Sequence, residues 1–332
     1  MDQLARRLVF TSLDNHFLSL STPAYPVNRQ TGIFVKLNYM LDKKKAVRNI
    51  ECMNRLPIAK RAQIIQMLVE GSSLRATSRL ADVSINTVTK LLVDVADDAY
   101  QYHDVVVRDV CCRRVQADEI WCLVGAKSKN AASRQKADGG GDVWTWTAID
   151  ADTKLCVGYL VGGRDASWAN EFMQDVASRI RGRVQLTTDG HRAYLEAVEN
   201  NFGSEVDYAQ LQKIYGASDE SEKRYSLAKC IGCDIKTVSG EPDPKHVSTS
   251  FVERQNLTMR MSLRRFTRLT NAFSKKIENH AAAVALHFIH YNFARIHKTL
   301  RITPAMAAGI SDHVWSYEEI AGLTDVAALL KS

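Results

Sequence analysis

At Val115 the hydrophobic period of the chain changes. Upstream, apolar residues recur at helical spacing, as in Ile64, Ile65, Leu68 and Val69. Downstream, residues 114–124 are rich in β-branched and aromatic side chains, and Val143-Trp-Thr-Trp-Thr-Ala-Ile149 alternates strictly, the signature of a half-buried strand. Asp150-Ala-Asp152-Thr reads as a hairpin turn into a third strand, 155–161. Helix and strand then alternate: a helix over 165–180 with Phe172, Val176 and Ile180 on one face, a strand over 183–189, and a helix over 192–202. Residues 206–215 fit a short strand or a helix. The order β-β-β-α-β-α predicts a mixed α/β sheet, with an antiparallel meander on one side and the first and fourth strands adjacent at its centre.

The helical front end predicts a different unit. Gly71 stops a first helix, Ser72 or Ser73 caps a second over 74–81, and Ser84 caps a third over 84–93. That is the length of a helix-turn-helix. Its expected core is Leu74, Leu80, Val83, Ile85, Val88 and Leu91 or Leu92. Ser84, Asn86, Thr87 and Lys90 then face outward at the start of the last helix, where a recognition helix meets base edges, and Arg75 and Arg79 could hold phosphates.

The later segments predict less. Residues 216–248 are polar, carry Glu241-Pro-Asp-Pro-Lys, and read as an insertion. A helix is expected over 250–266, a long alanine-rich one over 272–296, a short one from Thr303-Pro304, and a last one after Ser316. The division expected is an N-terminal arm (1–52), a helix-turn-helix domain (53–98), a mixed-sheet domain (99–310) and a tail (311–332). Met53 resembles a natural start, so the arm is expected to be an extension that the fold does not need.

The chain of 332 residues has a formal net charge of +7, which favours a polyanionic partner without requiring one. No apolar run approaches the roughly 20 residues of a spanning helix, which predicts a soluble protein with no membrane partner. The seven cysteines form no regular framework and fit a reducing cytoplasm.

Three acids stand where chemistry is expected. Asp118 lies in the first strand and Asp189 ends the fourth, where open α/β sheets gather their sites. Glu253 opens the 250–266 helix. Ser250 is its expected N-cap, with Glu253 completing a capping box. Val252, Met259, Leu263 and Phe266 form an apolar stripe, and Glu253, Arg260 and Arg264 fall together on another. Three converging carboxylates are the parts that two-metal phosphodiester chemistry needs. Hard oxygen ligands select Mg²⁺ or Mn²⁺, with two ions per site roughly 4 Å apart.

Other residues have plainer readings. Glu119 points to the opposite strand face and is expected to be a poor ligand. Asp150 and Asp152 fit a turn. Cys230-Ile-Gly-Cys233 with His246 is a weak zinc pattern without a second pair. His287 and His290 are expected to pack, His297 could orient the site, and His191 could sit near phosphates. Trp144 and Trp146 are expected in the core.

Gln116-Ala-Asp118-Glu-Ile-Trp121, Leu186-Thr-Thr-Asp189-Gly-His191 and Ser250-Phe-Val-Glu253-Arg-Gln-Asn256 together resemble DDE transposases. Arg260 stands seven residues after the glutamate, and Tyr291-Asn292-Phe-Ala-Arg295-Ile-His297-Lys-Thr-Leu300 precedes Thr303-Pro304. Across residues 53–310 the wording is similar to the insertion sequence one family of bacterial transposases. No paired-cysteine zinc motif precedes the helix-turn-helix, unlike older members. The resemblance implies a ribonuclease H-like catalytic domain with Asp118, Asp189 and Glu253 as catalytic metal ligands. Arg260 and Arg264 would clamp DNA, and the helix-turn-helix would read terminal inverted repeats. Double-stranded DNA is the implied partner, both at element ends and in the target, and the implied active complex is a homo-oligomer of at least two chains. Two other classes fit the same residues: a DNA-binding regulator with an inactive scaffold, and a related integrase or nuclease.

Overall fold

The structure, a computed structural model, describes residues 55–132, 139–216, 230–267 and 271–330. The N-terminal arm and Met53 lie outside the described residues. Three helices come first: α1 (Ile58–Val69), α2 (Leu74–Ala81) and α3 (Ile85–Val106). The sheet follows as β1 (Arg114–Val124), β2 (Gly141–Asp150) and β3 (Cys156–Gly162). Next come α4 (Ala166–Arg179), β4 (Val184–Thr188), α5 (Ala193–Phe202), β5 (Val206–Tyr215) and β6 (Cys230–Ser239). The chain ends with α6 (Ser250–Ser262), α7 (Ile277–Ile289), α8 (Pro304–Ala307) and α9 (Tyr317–Leu330).

The six strands form one mixed sheet in the order β3-β2-β1-β4-β5-β6. β1, β2 and β3 make the expected antiparallel meander, and β1 pairs in parallel with β4, which pairs in parallel with β5. The stretch that could be strand or helix is therefore β5. The polar insertion contains an edge strand, β6, antiparallel to β5 and largely exposed. Its apolar residues Ile231 and Ile235 face solvent, so hydrophobicity gave no sign of a strand.

Helices cover both faces. Trp146 packs against Phe172 of α4 and Tyr194 of α5 on one face. On the other, Asp118 meets α6 and Tyr159 stacks on Phe288 of α7. The alanine-rich helix begins at Ile277, five residues later than its composition predicts, and His290–Ala294 continue it as a π-turn. The turn at Asp150 is as read: its carboxylate accepts from the backbone N–H of Asp152 and Thr153.

The helical front end shares the core of the sheet. Buried residues run continuously from Ile64 and Ile65 of α1, through Val88 and Leu92 of α3, to Ile320 of α9. Ser73 and Ser84 cap α2 and α3 as expected. However, α3 runs on to Val106, past the expected boundary at residue 98. The C-terminal segment is packed too, since buried Arg61 donates to the carbonyl of Ala321 and to Asp325 of α9. Two expected core residues face solvent: Leu80 is 65% exposed and Ile85 40%. They flank the α2–α3 turn, whose inner side is already filled by Val88 and Leu92. Gly71 (φ +85) bears on the same junction. A Cβ there would lie 3.1 Å from the carbonyl oxygen of Ser262, so the turn after α1 sits directly on the end of α6.

Candidate active site

Alternation along β1 sends Gln116 and Asp118 to one face and Glu119 to the other. The last rung between β1 and β4 is Ala117–Thr188, so Asp118 and Asp189 are the next residues on neighbouring strands at the carboxyl end of the sheet. Carboxylate oxygens of Asp118, Glu119 and Asp189 lie within 4.8 Å of one another. The two aspartates thus converge as expected, and Glu119 joins them, against expectation. Alternation does not keep Glu119 away because β4 has ended: past the last rung, Asp118 and Glu119 both reach Asp189.

Each acid is held by donors. Asp118 accepts from the backbone N–H of Glu119 at 2.9 Å and from Asn256 Nδ2 at 2.8 Å. Glu119, its side chain 1% exposed, accepts from Arg164 Nε at 2.8 Å and from Tyr194 Oη at 3.0 Å. Asp189 accepts from the backbone N–H of His191 at 3.0 Å. Burial, and then the neighbouring charges of Glu119 and Asp189, push Asp118 up to about 7. Burial and Asp189 push Glu119 to about 7 as well, against the pull of Arg164.

Glu253 stands apart from this cluster. Its Oε1 accepts from Thr249 Oγ1 at 2.6 Å and its Oε2 pairs with Lys213 of β5. The expected capping box does not form. The helix starts one residue earlier, with Thr249 at the cap position and Ser250 already helical. The cap of α6 comes instead from another element: buried Gln116 of β1 accepts from the backbone N–H of Phe251 at 2.8 Å and of Val252 at 3.2 Å. Together with Asn256 on Asp118, it fastens α6 to the strand that carries the acid. Neither residue was assigned a role from sequence. Both lie inside the quoted motifs, and Asn256 is three residues after Glu253, on the same helix face.

The apolar stripe is as predicted, with Val252, Met259, Leu263 and Phe266 buried. The cationic stripe is not. α6 ends at Ser262, Leu263 is extended (φ −109, ψ 100), and Arg264 lies exposed on a separate 3₁₀ turn. Arg264 therefore does not share a helix face with Glu253, whereas half-buried Arg260 remains on α6. The chain turns at Leu263 to bury Phe266, which a helical projection could not foresee.

Among the outward residues of the front end, Arg75, Arg79, Asn86 and Lys90 are exposed. Ser84 and Thr87 bond each other at 2.8 Å, and Lys90 pairs with Asp94 at 2.5 Å. His246 bonds Arg114 at 2.6 Å, and Cys230 and Cys233 lie on the edge strand β6, so histidine and cysteines form no common site. His287 and His290 are buried, as expected. His297 bonds Thr299 rather than any of the four acids. Trp146 is fully buried and Trp144 lies beneath Arg164. No described helix is long and apolar enough to cross a membrane.

No family model matches the chain, and no curated protein matches it. Among solved structures, the chain is similar to the cryo-EM structure of a piggyBac transposase synaptic complex with hairpin DNA. That match has 9% identity over 89% of this chain and 78% of that chain, at a TM-score of 0.36. It is also similar to the crystal structure of the Mos1 strand transfer complex, with 10% identity, 80% and 87% coverage, and a TM-score of 0.21. Superpositions this loose carry no argument about what the chain does.

Proposed function

We propose that the chain is a DDE-type DNA transposase of the insertion sequence one kind, with a ribonuclease H-like catalytic domain. It would cleave element ends and join them to target DNA. The observation that carries this reading is the convergence of Asp118 and Asp189 at the ends of adjacent parallel strands, with Glu253 on a helix that β1 itself caps.

The donor set fits a hard divalent cation. Burial, and then the charge of neighbouring carboxylates, raises Asp118 and Glu119 to about 7, and a cation would relieve that repulsion. Asp118 and Asp189 would hold Mg²⁺ or Mn²⁺, two ions per site, with Glu253 as the third carboxylate. Bound there, the ions supply Lewis-acid polarisation of the phosphate and lower the pKa of the attacking water or 3′-hydroxyl. Asn256 keeps Asp118 turned into the crevice. Arg164 and Tyr194 occupy both oxygens of Glu119, making it a positioning acid. Lys213 competes for Glu253, which serves a cation only when it leaves the ammonium. Arg260 and Arg264 are proposed to bind DNA backbone. The α2–α3 surface, through Arg75, Arg79, Ser84, Asn86, Thr87 and Lys90, is proposed to read inverted repeats as a helix-turn-helix. At least two chains act together on the two ends in the bacterial cytoplasm, where the enzyme meets the nucleoid when active.

The test is end cleavage and strand transfer on inverted-repeat DNA with Mg²⁺, wild type against Asp189→Asn. The reading requires the variant to lose both. Full activity of the variant would overturn the metal site, and binding without cutting by wild type would favour a DNA-binding regulator.

A further inference from the structure

The flank of α6 away from Glu253 forms a second site. Phe251, Arg254 and Thr258 recur there at spacings of three and four residues, so they share one side of the helix. They line a cavity of about 170 Å³ together with Lys154 from the β2–β3 turn and Arg295, His297 and Lys298 from the loop after α7. No acidic residue lines it. Arg254, Arg295 and Lys298 are exposed and have no ion-pair partner among the described residues.

The pocket is built, not incidental. Lys154 holds a left-handed backbone (φ +63), a conformation that a residue with a side chain adopts at a cost. Two bonds impose it: the backbone N–H of Lys154 donates to the carbonyl of Asp150 at 2.9 Å, and Tyr291 Oη donates to the carbonyl of Lys154 at 3.0 Å. The Lys154 ammonium then sits over the Phe251 ring, 3.2 Å from its centre. Asn292 bonds both the N–H (2.9 Å) and the carbonyl (3.0 Å) of Cys156, locking the same turn to the Tyr291–Leu300 segment. Burial lowers the Lys154 pKa, against the pull of Asp152 and Asp150.

A larger cavity of about 450 Å³ lies at the amino end of β1, beside the same β2–β3 turn. It too is lined by arginines, but Arg114 pairs there with Asp152, and Arg183 with Asp207. Those two arginines are paired within the protein, whereas Arg254, Arg295 and Lys298 have no such partner among the described residues; the Lys154 ammonium donates to the carbonyl of Ala151. The volume suits a hydrated phosphate group, being several times the roughly 30 Å³ share of one water. Arg and Lys side chains arriving from three separate elements suit consecutive phosphates of a strand.

We propose that this pocket grips the sugar-phosphate backbone of DNA without regard to base sequence. Arg254 adjoins Glu253, so the same strand can lie along α6 from the pocket to the acids. Naming DNA as the polyanion rests on the transposase reading; the pocket's charge does not.

The test uses the full chain and a fluorescent 30-base-pair duplex of arbitrary sequence, titrated across a salt series. Arg254→Glu/Lys298→Glu changes two exposed positions. Lys129→Glu/Lys236→Glu, exposed and outside the pocket, makes the same change in net charge. The pocket variant is expected to lose roughly 30-fold or more in affinity and to lower the salt slope by about 2, near 0.9 per phosphate contact. The control is expected to lose about threefold or less, chiefly a long-range effect of net charge. Equal losses in the two variants, or an unchanged slope, would overturn the proposal. So would displacement of duplex by millimolar inorganic phosphate, the sign of a small-anion site. A wild type that binds duplex through the pocket but never cuts inverted-repeat DNA with Mg²⁺ defeats the transposase reading alone. A wild type that cuts, with a slope indifferent to the pocket, defeats this proposal alone.

Discussion

α6 separates two regions of opposite charge. On one flank Asp118, Glu119 and Asp189 converge, each held by donors from neighbouring elements. On the other, four cations line one cavity with Phe251 and no acid. Like charges are collected on both sides, and collecting them opposes folding. The lesson is in how each is compensated. Asp118 and Glu119 are drawn toward neutrality by burial and by neighbouring charge, as befits a site for a cation. Arg254, Arg295 and Lys298 stay exposed, as befits a site for a long polyanion.

The contrast breaks most visibly at the acids. Asp189→Asn should lower Mg²⁺-dependent cleavage about 10³-fold, the equivalent of roughly 4 kcal/mol of lost charge stabilisation. Duplex affinity in EDTA should change less than about threefold, because the backbone grip lies on the other flank. Filter binding and a cleavage assay on the same preparation check both halves. Comparable losses in the two assays would make the flanks a single site.

Acid titration sharpens the comparison next. Burial lowers His103, His280 and His287 to about 3 and His290 to about 4, whereas unfolded histidines protonate near 6.5. These histidines sit on and just after α3 and α7. Asp118 and Glu119 oppose them, staying protonated up to about 7 when folded but only below about 4 when unfolded. Near pH 5.5 the unfolded chain therefore binds about two more protons on these six groups than the folded one. Stability should fall with falling pH by about 2.7 kcal/mol per unit. Urea unfolding at pH 5 and pH 6 in EDTA measures this, and a rise in stability on acidification would contradict the sign.

Gln116→Ala should cost about 1–3 kcal/mol, since it strands the buried N–H of Val252 and the part-buried N–H of Phe251 at the start of α6. The midpoint of chemical unfolding reports it. Weakened Mn²⁺ binding in the same variant would tie that cap to the geometry of the acids. The smallest effect is expected at Lys213→Ala. The Lys213–Glu253 pair is partly exposed and worth no more than about 1 kcal/mol. Freeing Glu253 should tighten Mn²⁺ binding about two- to fivefold by calorimetry. Weaker binding would mean that Lys213 positions the glutamate rather than competing for it.

Much of the fold was legible in residue order. Alternation in Val143–Ile149 and the change of period at Val115 announced the meander. Strand-helix alternation then put β4 beside β1, because a parallel crossover returns the chain to the sheet centre. The convergence of Asp118 and Asp189 followed from that. β6 was not legible, because an edge strand with exposed side chains leaves no burial pattern to read. Leu80 and Ile85 misled for the opposite reason: helical spacing marks an apolar face without saying whether another element covers it.

Periodicity and short-range pairing thus determined the first four strands of the sheet, its central pair of acids and the apolar stripe of α6, because these depend on neighbours along the chain or across one ladder. Tertiary structure alone decided the remainder. It brought Glu119 to the acids past the end of β4, handed Glu253 to Lys213 and capped α6 with Gln116. It also turned the chain at Leu263 and set Lys154 beside Arg254 and Lys298. Each of these joins residues from about 40 to more than 140 positions apart or depends on where an element stops. Such contacts are set by how the layers pack, and no local spacing encodes them.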